Sequence, residues 1–299
     1  MFRLFQPRVF RFGLSMMATL TCLAGLFSVQ PVVAQGDPLQ LYIRVVDGEG
    51  APVLDLTAAE VVVQQGGQAC EISEMQGEPD GMKIAVLVDT NAPPQWLNPY
   101  RDGLAGFFEA LPDDHEVGIF TITGQTTQRV EFTRDHSELA NFAEDIFMDP
   151  RSTVMLDGLA ETWRSRFEDD DGWPVVVMIL HDGPDGSSLG GDENQRTVTE
   201  MMRRGATVHT LVFATGSVDQ LTQVSRNVVQ NTGGIHTRIQ TANALEEALT
   251  DLGNQISAHY ANFGNSYRVV FQCETEGDVG VGVGRAGTTF TAFGSRSVD

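Results

Sequence analysis

Two stretches of the chain are apolar at nearly every position and then stop at an acid. Met82-Lys83-Ile84-Ala85-Val86-Leu87-Val88 runs into Asp89-Thr90-Asn91, and Val175-Val176-Val177-Met178-Ile179-Leu180 runs into His181-Asp182-Gly183. A run of this length with no polar alternation predicts a strand buried on both faces, as in the middle of a parallel sheet. Each acid then falls at the carboxyl end of its strand, where open α/β sheets hold their ligands. Between and after these runs the period changes to that of helices. Leu104, Phe107, Phe108 and Leu111 share a stripe within Tyr100 to Leu111. Leu139, Phe142, Ile146 and Phe147 share a second, with Ser137 as candidate cap, and Leu156, Leu159, Trp163 and Phe167 a third. Further strands are expected at Glu116 to Thr123, Gln128 to Thr133, Thr207 to Ala214 and Ile235 to Ile239. Helices marked by Val198 and Met201, by Leu221 and Val228, and by Leu245 and Ile256 separate or follow the later strands; the first ends at Gly205.

The two ends of the chain read as β. Leu39 to Asp47 partly alternates, Thr57-Ala58-Ala59-Glu60 is a capping-box pattern, and Val61 to Gln65 is expected to return through Gly66-Gly67 to Cys70 to Met75. Near the other end, Tyr267 to Cys273, Val279 to Gly284 and Thr288 to Phe293 repeat the pattern. We therefore expect an α/β fold with a doubly wound, mostly parallel, Rossmann-like sheet, and an accessory β domain made from both terminal segments. The expected boundaries are a leader over 1–34, an N-terminal β segment over 35–80, the α/β domain over 81–261, and a C-terminal β segment over 262–299.

Composition adds three points. The net charge of −21, with Lys83 the only lysine, argues against nucleic-acid or anionic-lipid partners. Arg3, Arg8 and Arg11, an apolar run from Leu14 to Val29, and Val32-Val33-Ala34 before Gln35 have the layout of a cleaved secretory leader. An uncleaved anchor is the alternative; Cys22 lies within this run, and no later segment is apolar enough to cross a membrane. Cys70 and Cys273 remain as an even pair, which in an oxidising compartment suggests one disulfide; two separate buried thiols are the alternative.

The candidate chemistry centres on Asp89 and Asp182. Two carboxylates at one rim need a counter-charge: a divalent ion, an arginine or a shared proton. Asn91 and Thr153 offer further oxygens. The alternative is that both acids only cap the helices after their strands. His181 and His209 read as structural, no spacing gives a zinc set, and Asp169-Asp170-Asp171 reads as a solvated turn. There is no phosphate loop.

The order Val45-Val46-Asp47, Val86-Leu87-Val88-Asp89, Ser152-Thr153-Val154-Met155-Leu156-Asp157-Gly158-Leu159, Leu180-His181-Asp182-Gly183-Pro184-Asp185 and Asn231-Thr232-Gly233-Gly234 resembles a von Willebrand factor type A domain. More narrowly, it is similar to bacterial secreted proteins of that kind. The resemblance implies a metal-ion-dependent adhesion site, with an Asp-x-Ser-x-Ser loop, a distant Thr and a distant Asp, that recognises an acidic group of a protein partner. Asp89, Thr153 and Asp182 match it; Asn91 replaces the first serine and Pro93 the second. Arg151 stands two residues before Thr153, where it would neutralise the acids without metal, and Asp185 joins it as a ligand-binding candidate. The expectation is an exported, non-enzymatic protein-binding module with a degenerate site for Mg²⁺ or Mn²⁺. A metal-assisted hydrolase and a scaffold with a vestigial site are the alternatives.

Overall fold

A computed structural model describes residues 38–77, 81–168, 170, 172–214 and 220–294. The leader, Cys22, Asp169 and Asp171 lie outside the described residues. Strands β1 (Leu39–Val46), β2 (Val61–Gln65), β3 (Gln68–Ala69) and β4 (Glu71–Gly77) come first. There follow β5 (Met82–Val88), α1 (Leu97–Glu109), β6 (Glu116–Thr121), β7 (Thr127–Thr133), α2 (His136–Asp145), α3 (Met155–Arg166) and β8 (Trp173–His181). Then come α4 (Gly191–Arg203), β9 (Thr207–Phe213), α5 (Gln220–Thr232), β10 (His236–Ile239) and α6 (Leu245–Phe263). Strands β11 (Ser266–Gln272), β12 (Val279–Val283) and β13 (Thr289–Phe293) complete the described chain.

The central sheet has the order β10-β9-β8-β5-β6-β7, parallel except for β7 at one edge. Its two middle strands are the two apolar runs, as a sheet covered on both faces requires. Alternation along them divides the core. Ile84, Val86 and Val88 of β5 and Val175, Val177 and Ile179 of β8 pack with Tyr100, Phe107, Leu249 and Ile256 on the face covered by α1, α2 and α6. Ala85 and Leu87, with Val176, Met178 and Leu180, pack with Trp163, Met201 and Leu221 on the face covered by α3, α4 and α5. Asp89 and Asp182 therefore leave their strands at one rim. Lys83, at the other end of β5, donates to Arg166 O at 2.9 Å, pairs with Asp170 and lies 4.7 Å from the centre of the Phe132 ring.

The terminal segments pair as expected, with one difference. The order β13-β1-β11-β4 forms an antiparallel sheet, and β12-β2-β3 a second. The hairpin at Gly66-Gly67, both at positive φ, returns only as far as β3. The chain then changes sheets, and β4 pairs with β11. The bond Cys70–Cys273 sits at that crossing, with the two Cα atoms 4.6 Å apart, so the paired alternative holds and not two free thiols. Leu41, Ile43, Val61, Val63, Val269 and Phe271 fill the space between the sheets. Tyr267 fixes the β1–β2 connection: its hydroxyl accepts from Leu56 N and donates to Val53 O, both at 2.8 Å. Arg285 ties the two chain ends through Glu60, at 2.6 and 2.7 Å, and through Asp55. This guanidinium, with the hydrogen bonds from Thr57, holds the Glu60 carboxyl down to about 2.

Candidate functional site at the sheet rim

Asp89 is fully buried, and each of its oxygens is taken by two protein donors. Oδ1 accepts from Asn91 N at 2.8 Å and from Thr123 Oγ1 at 3.0 Å. Oδ2 accepts from Thr153 Oγ1 at 2.7 Å and from His181 N at 3.0 Å. The lone-pair sites of one carboxylate are thereby filled from four segments: the loop after β5, the end of β6, the strand-like approach to α3, and the end of β8. A buried carboxylate survives without a cation when it is bonded in this way, because charge-assisted bonds replace the lost hydration.

The groups around it are equally committed. Thr123 Oγ1 donates to Asp89 and accepts from Thr90 N at 2.8 Å and Thr90 Oγ1 at 3.0 Å, which uses its full capacity. The Thr153 backbone is held by its bridge to Thr123 and by Gly186 N. Tyr100 donates to Asp89 O at 2.8 Å; burial, with the Asp89 charge adding to it, keeps this phenol protonated far above its usual range. Asp182 is half-buried, and its Oδ1 accepts from Thr222 Oγ1 at 2.9 Å on α5. His181 places its ring edge-on to Trp96, at 6.5 Å.

Two expected ligand groups have other partners. Arg151 is bound to Asp149 through Nε, at 3.1 and 2.9 Å, and through Nη2, at 2.6 Å; among the described residues no hydrogen bond joins it to Asp89 or Asp182. The arginine reading of the counter-charge is thus replaced by neutral donors: Asp149, two residues away, captures the guanidinium first. Asp185 accepts from Met155 N at 2.9 Å and from Ser187 Oγ at 2.7 Å, and so caps α3. Asn91 contributes its backbone N–H to Asp89. Thr123, Thr90 and Thr222 are the rim residues that the sequence pattern did not single out. The signal for Thr123 was its place just past a central strand, at the same rim as the two acids.

A divalent ion of the Mg²⁺ class needs about six oxygens in near-octahedral array. Here Asp89 has no lone pair open, Thr153 directs its proton at that acid, and Pro93 brings no side-chain oxygen. No group of three or more His, Cys, Asp or Glu side chains capable of holding a metal occurs among the described residues. In this arrangement the residues do not fit a resident Mg²⁺ or Mn²⁺.

A doubly wound sheet with one antiparallel edge strand and a polar rim at its carboxyl end defines a Rossmann-like α/β domain. No family model matches the chain, and no curated protein matches it. Among solved structures it is similar to a von Willebrand factor type A protein from Catenulispora acidiphila, at 10% identity and a TM-score of 0.52, over 84% of this chain and 71% of that one. The fold is that of a von Willebrand factor type A domain. Two further likenesses are an aerotolerance-related membrane protein from Bacteroides fragilis (16% identity, TM-score 0.44, 58% of this chain and 100% of that one) and proximal thread matrix protein 1 from the mussel byssus. The second (12% identity, TM-score 0.47, 66% of this chain and 48% of that one) is described as having a zinc-occupied metal-ion-dependent adhesion motif. Among the described residues no helix is long and apolar enough to cross a membrane.

Proposed function

We propose that the chain is an exported, non-catalytic protein-binding module that recognises its partner at the Asp89–Thr153–Asp182 rim without a divalent ion. The observation that carries this reading is the closed hydrogen-bond set of Asp89, which locks the loops of the rim together with protein donors alone. A preformed surface of this kind binds with little ordering cost. Against the hydrolase reading, four protein donors fill both oxygens of the buried Asp89, and Thr222 holds Oδ1 of Asp182. Export is proposed from the leader pattern, and the negative surface favours a protein over a nucleic acid.

The test is affinity capture from the envelope and medium, with and without chelator, using the unaltered protein and Asp182→Ala. Retention of the same partner under chelation, and its weakening by Asp182→Ala, supports the proposal. Release by chelator, or calorimetric Mg²⁺ or Mn²⁺ binding that Asp182→Ala abolishes, overturns the metal-free reading. Retention of the partner by every rim variant overturns the rim itself.

A further inference from the structure

At the end of the sheet opposite the rim, β1 meets the ends of α4 and α5 and the start of β9 around a cavity of about 240 Å³. The rim lies where β8 ends; this cavity lies where its parallel neighbour β9 begins. Gly205 and Gly233, both at positive φ, stop the two helices here and add no side chain to the wall. Gln40 joins β1 to the end of α4 by donating from Nε2 to Met202 O at 3.2 Å.

The wall is uncharged. Charged residues make up 20% of the chain, which carries −21 overall, yet every polar side chain lining this cavity is an amide or a hydroxyl. An anion would meet no guanidinium here and a cation no carboxylate. Either would give up its hydration to neutral groups alone. The occupant that fits is therefore neutral.

The polar groups left over describe it further. Thr207 is 1% exposed and lines the cavity, and its hydroxyl makes no hydrogen bond among the described residues. A buried hydroxyl without a partner is unfavourable, and a ligand hydroxyl would supply one. Gln40 spends Nε2 on Met202 O and keeps Oε1. Asn231 spends Nδ2 on Asn227 O, at 2.8 Å, and keeps Oδ1. Gln230 is exposed, with both ends of its amide open. Several acceptors, with two groups that also donate, suit a ligand that carries several hydroxyls. The Tyr42 ring and Met202, 40% exposed at the mouth, offer apolar surface to the C–H groups of the same ligand. Sites for drug-sized molecules run to roughly 300–1,000 Å³, so this one holds a single small ring.

We infer that this cavity is a binding site for a neutral monosaccharide unit, free or at the end of a glycan. The inference goes beyond the function proposed for the rim, and neither depends on the other.

The test titrates the full mature chain, ¹⁵N-labelled, with glucose, galactose and mannose, with the methyl glycoside of each, and with the matching amino sugars and uronic acids. At least one neutral sugar is expected to move the amides of Thr207, Asn231 and Gly233 and to leave those of Asn91 and Asp182 at the rim in place. It should bind on the order of tenfold more tightly than its amino sugar or its uronic acid. Thr207→Val keeps the shape of the side chain and removes the hydroxyl, and should weaken binding about fivefold, as the loss of one neutral hydrogen bond does. Gln230→Ala should weaken it by a similar factor; Gln230 is exposed, so an unaltered melting temperature certifies that variant even if Thr207→Val unfolds. Binding of the methyl glycoside as well as the free sugar supports the inference with a glycan end as the source, and binding of the free sugar alone supports it with a free monosaccharide. No shift with any neutral sugar, shifts confined to the rim, or binding unaltered by Gln230→Ala overturns it. An amino sugar or uronic acid bound as tightly as the neutral sugar overturns it in favour of an ion site.

Discussion

Replacing Thr123 with valine isolates what holds the rim together. The side chain keeps its shape and loses one oxygen, but that oxygen serves three bonds: to Asp89 Oδ1 and from Thr90 N and Oγ1. Losing a bond to a charged acceptor costs about 1.5–3 kcal/mol, and orphaning a buried N–H costs about 1–3 kcal/mol more. The expected loss is thus about 2.5–6 kcal/mol, a large part of the roughly 5–15 kcal/mol that holds a domain folded. Thr153→Val removes a single bond to Asp89 and should cost about 1.5–3 kcal/mol. Thr127→Val, at the start of β7, should stay within about 0.5 kcal/mol. Urea unfolding at equal protein concentration measures all three, with the midpoint shift read at constant slope. Mg²⁺ should not rescue Thr123→Val, and chelator should leave the unaltered protein where it was. A loss under about 1 kcal/mol for Thr123→Val, or a rescue by Mg²⁺, would show that Asp89 is compensated by something other than these donors.

Other outcomes follow from the same bonds and burials. His209 is fully buried, and burial, with His259 adding to it, holds its ring down to about 3. Its folded value lies below the unfolded one, so its contribution is complete above about 6.5 and is lost as the pH falls from there towards 3, at up to roughly 1.4 kcal/mol per pH unit; a His209→Gln variant with the same acid slope would remove histidine as the cause. The Cys70–Cys273 bond closes a loop of 203 residues, so reduction should destabilise the β sheets by up to about 5 kcal/mol; two free thiols in the mass spectrum of the unreduced protein would contradict it. Arg285→Met should free Glu60, so that the part of the acid transition between about 4.5 and 2 disappears; an unchanged acid profile would mean that the pair adds nothing. N-terminal sequencing of the exported protein should begin at Gln35, and a chain retaining Met1 would refute the leader.

The central strands were legible because burial on both faces leaves no choice of residue. Val86 and Val177 face one layer of helices, Leu87 and Met178 the other, and each must be apolar. The acids that end these runs, and the pairing of the terminal β segments, were legible for the same reason: a break in an apolar pattern marks where the core stops. What the chain does with the polar groups beyond that point was decided only by tertiary structure. Asp135, and not Ser137, caps α2, because the acid immediately precedes the helix whereas Ser137 is already its second residue; the Asp135 side chain accepts from Ser137 N. Phe147, expected on the helix stripe, falls beyond the end of α2 and is exposed. Arg151 pairs with Asp149 and leaves Asp89 to Thr123 and Thr153, which lie 34 and 64 residues away from it in sequence. A hydrophobic pattern records which face a residue must bury, a property of its own position. A hydrogen bond needs a donor and an acceptor within about 3 Å in the right direction, and that is settled by the register of strands that the sequence places far apart.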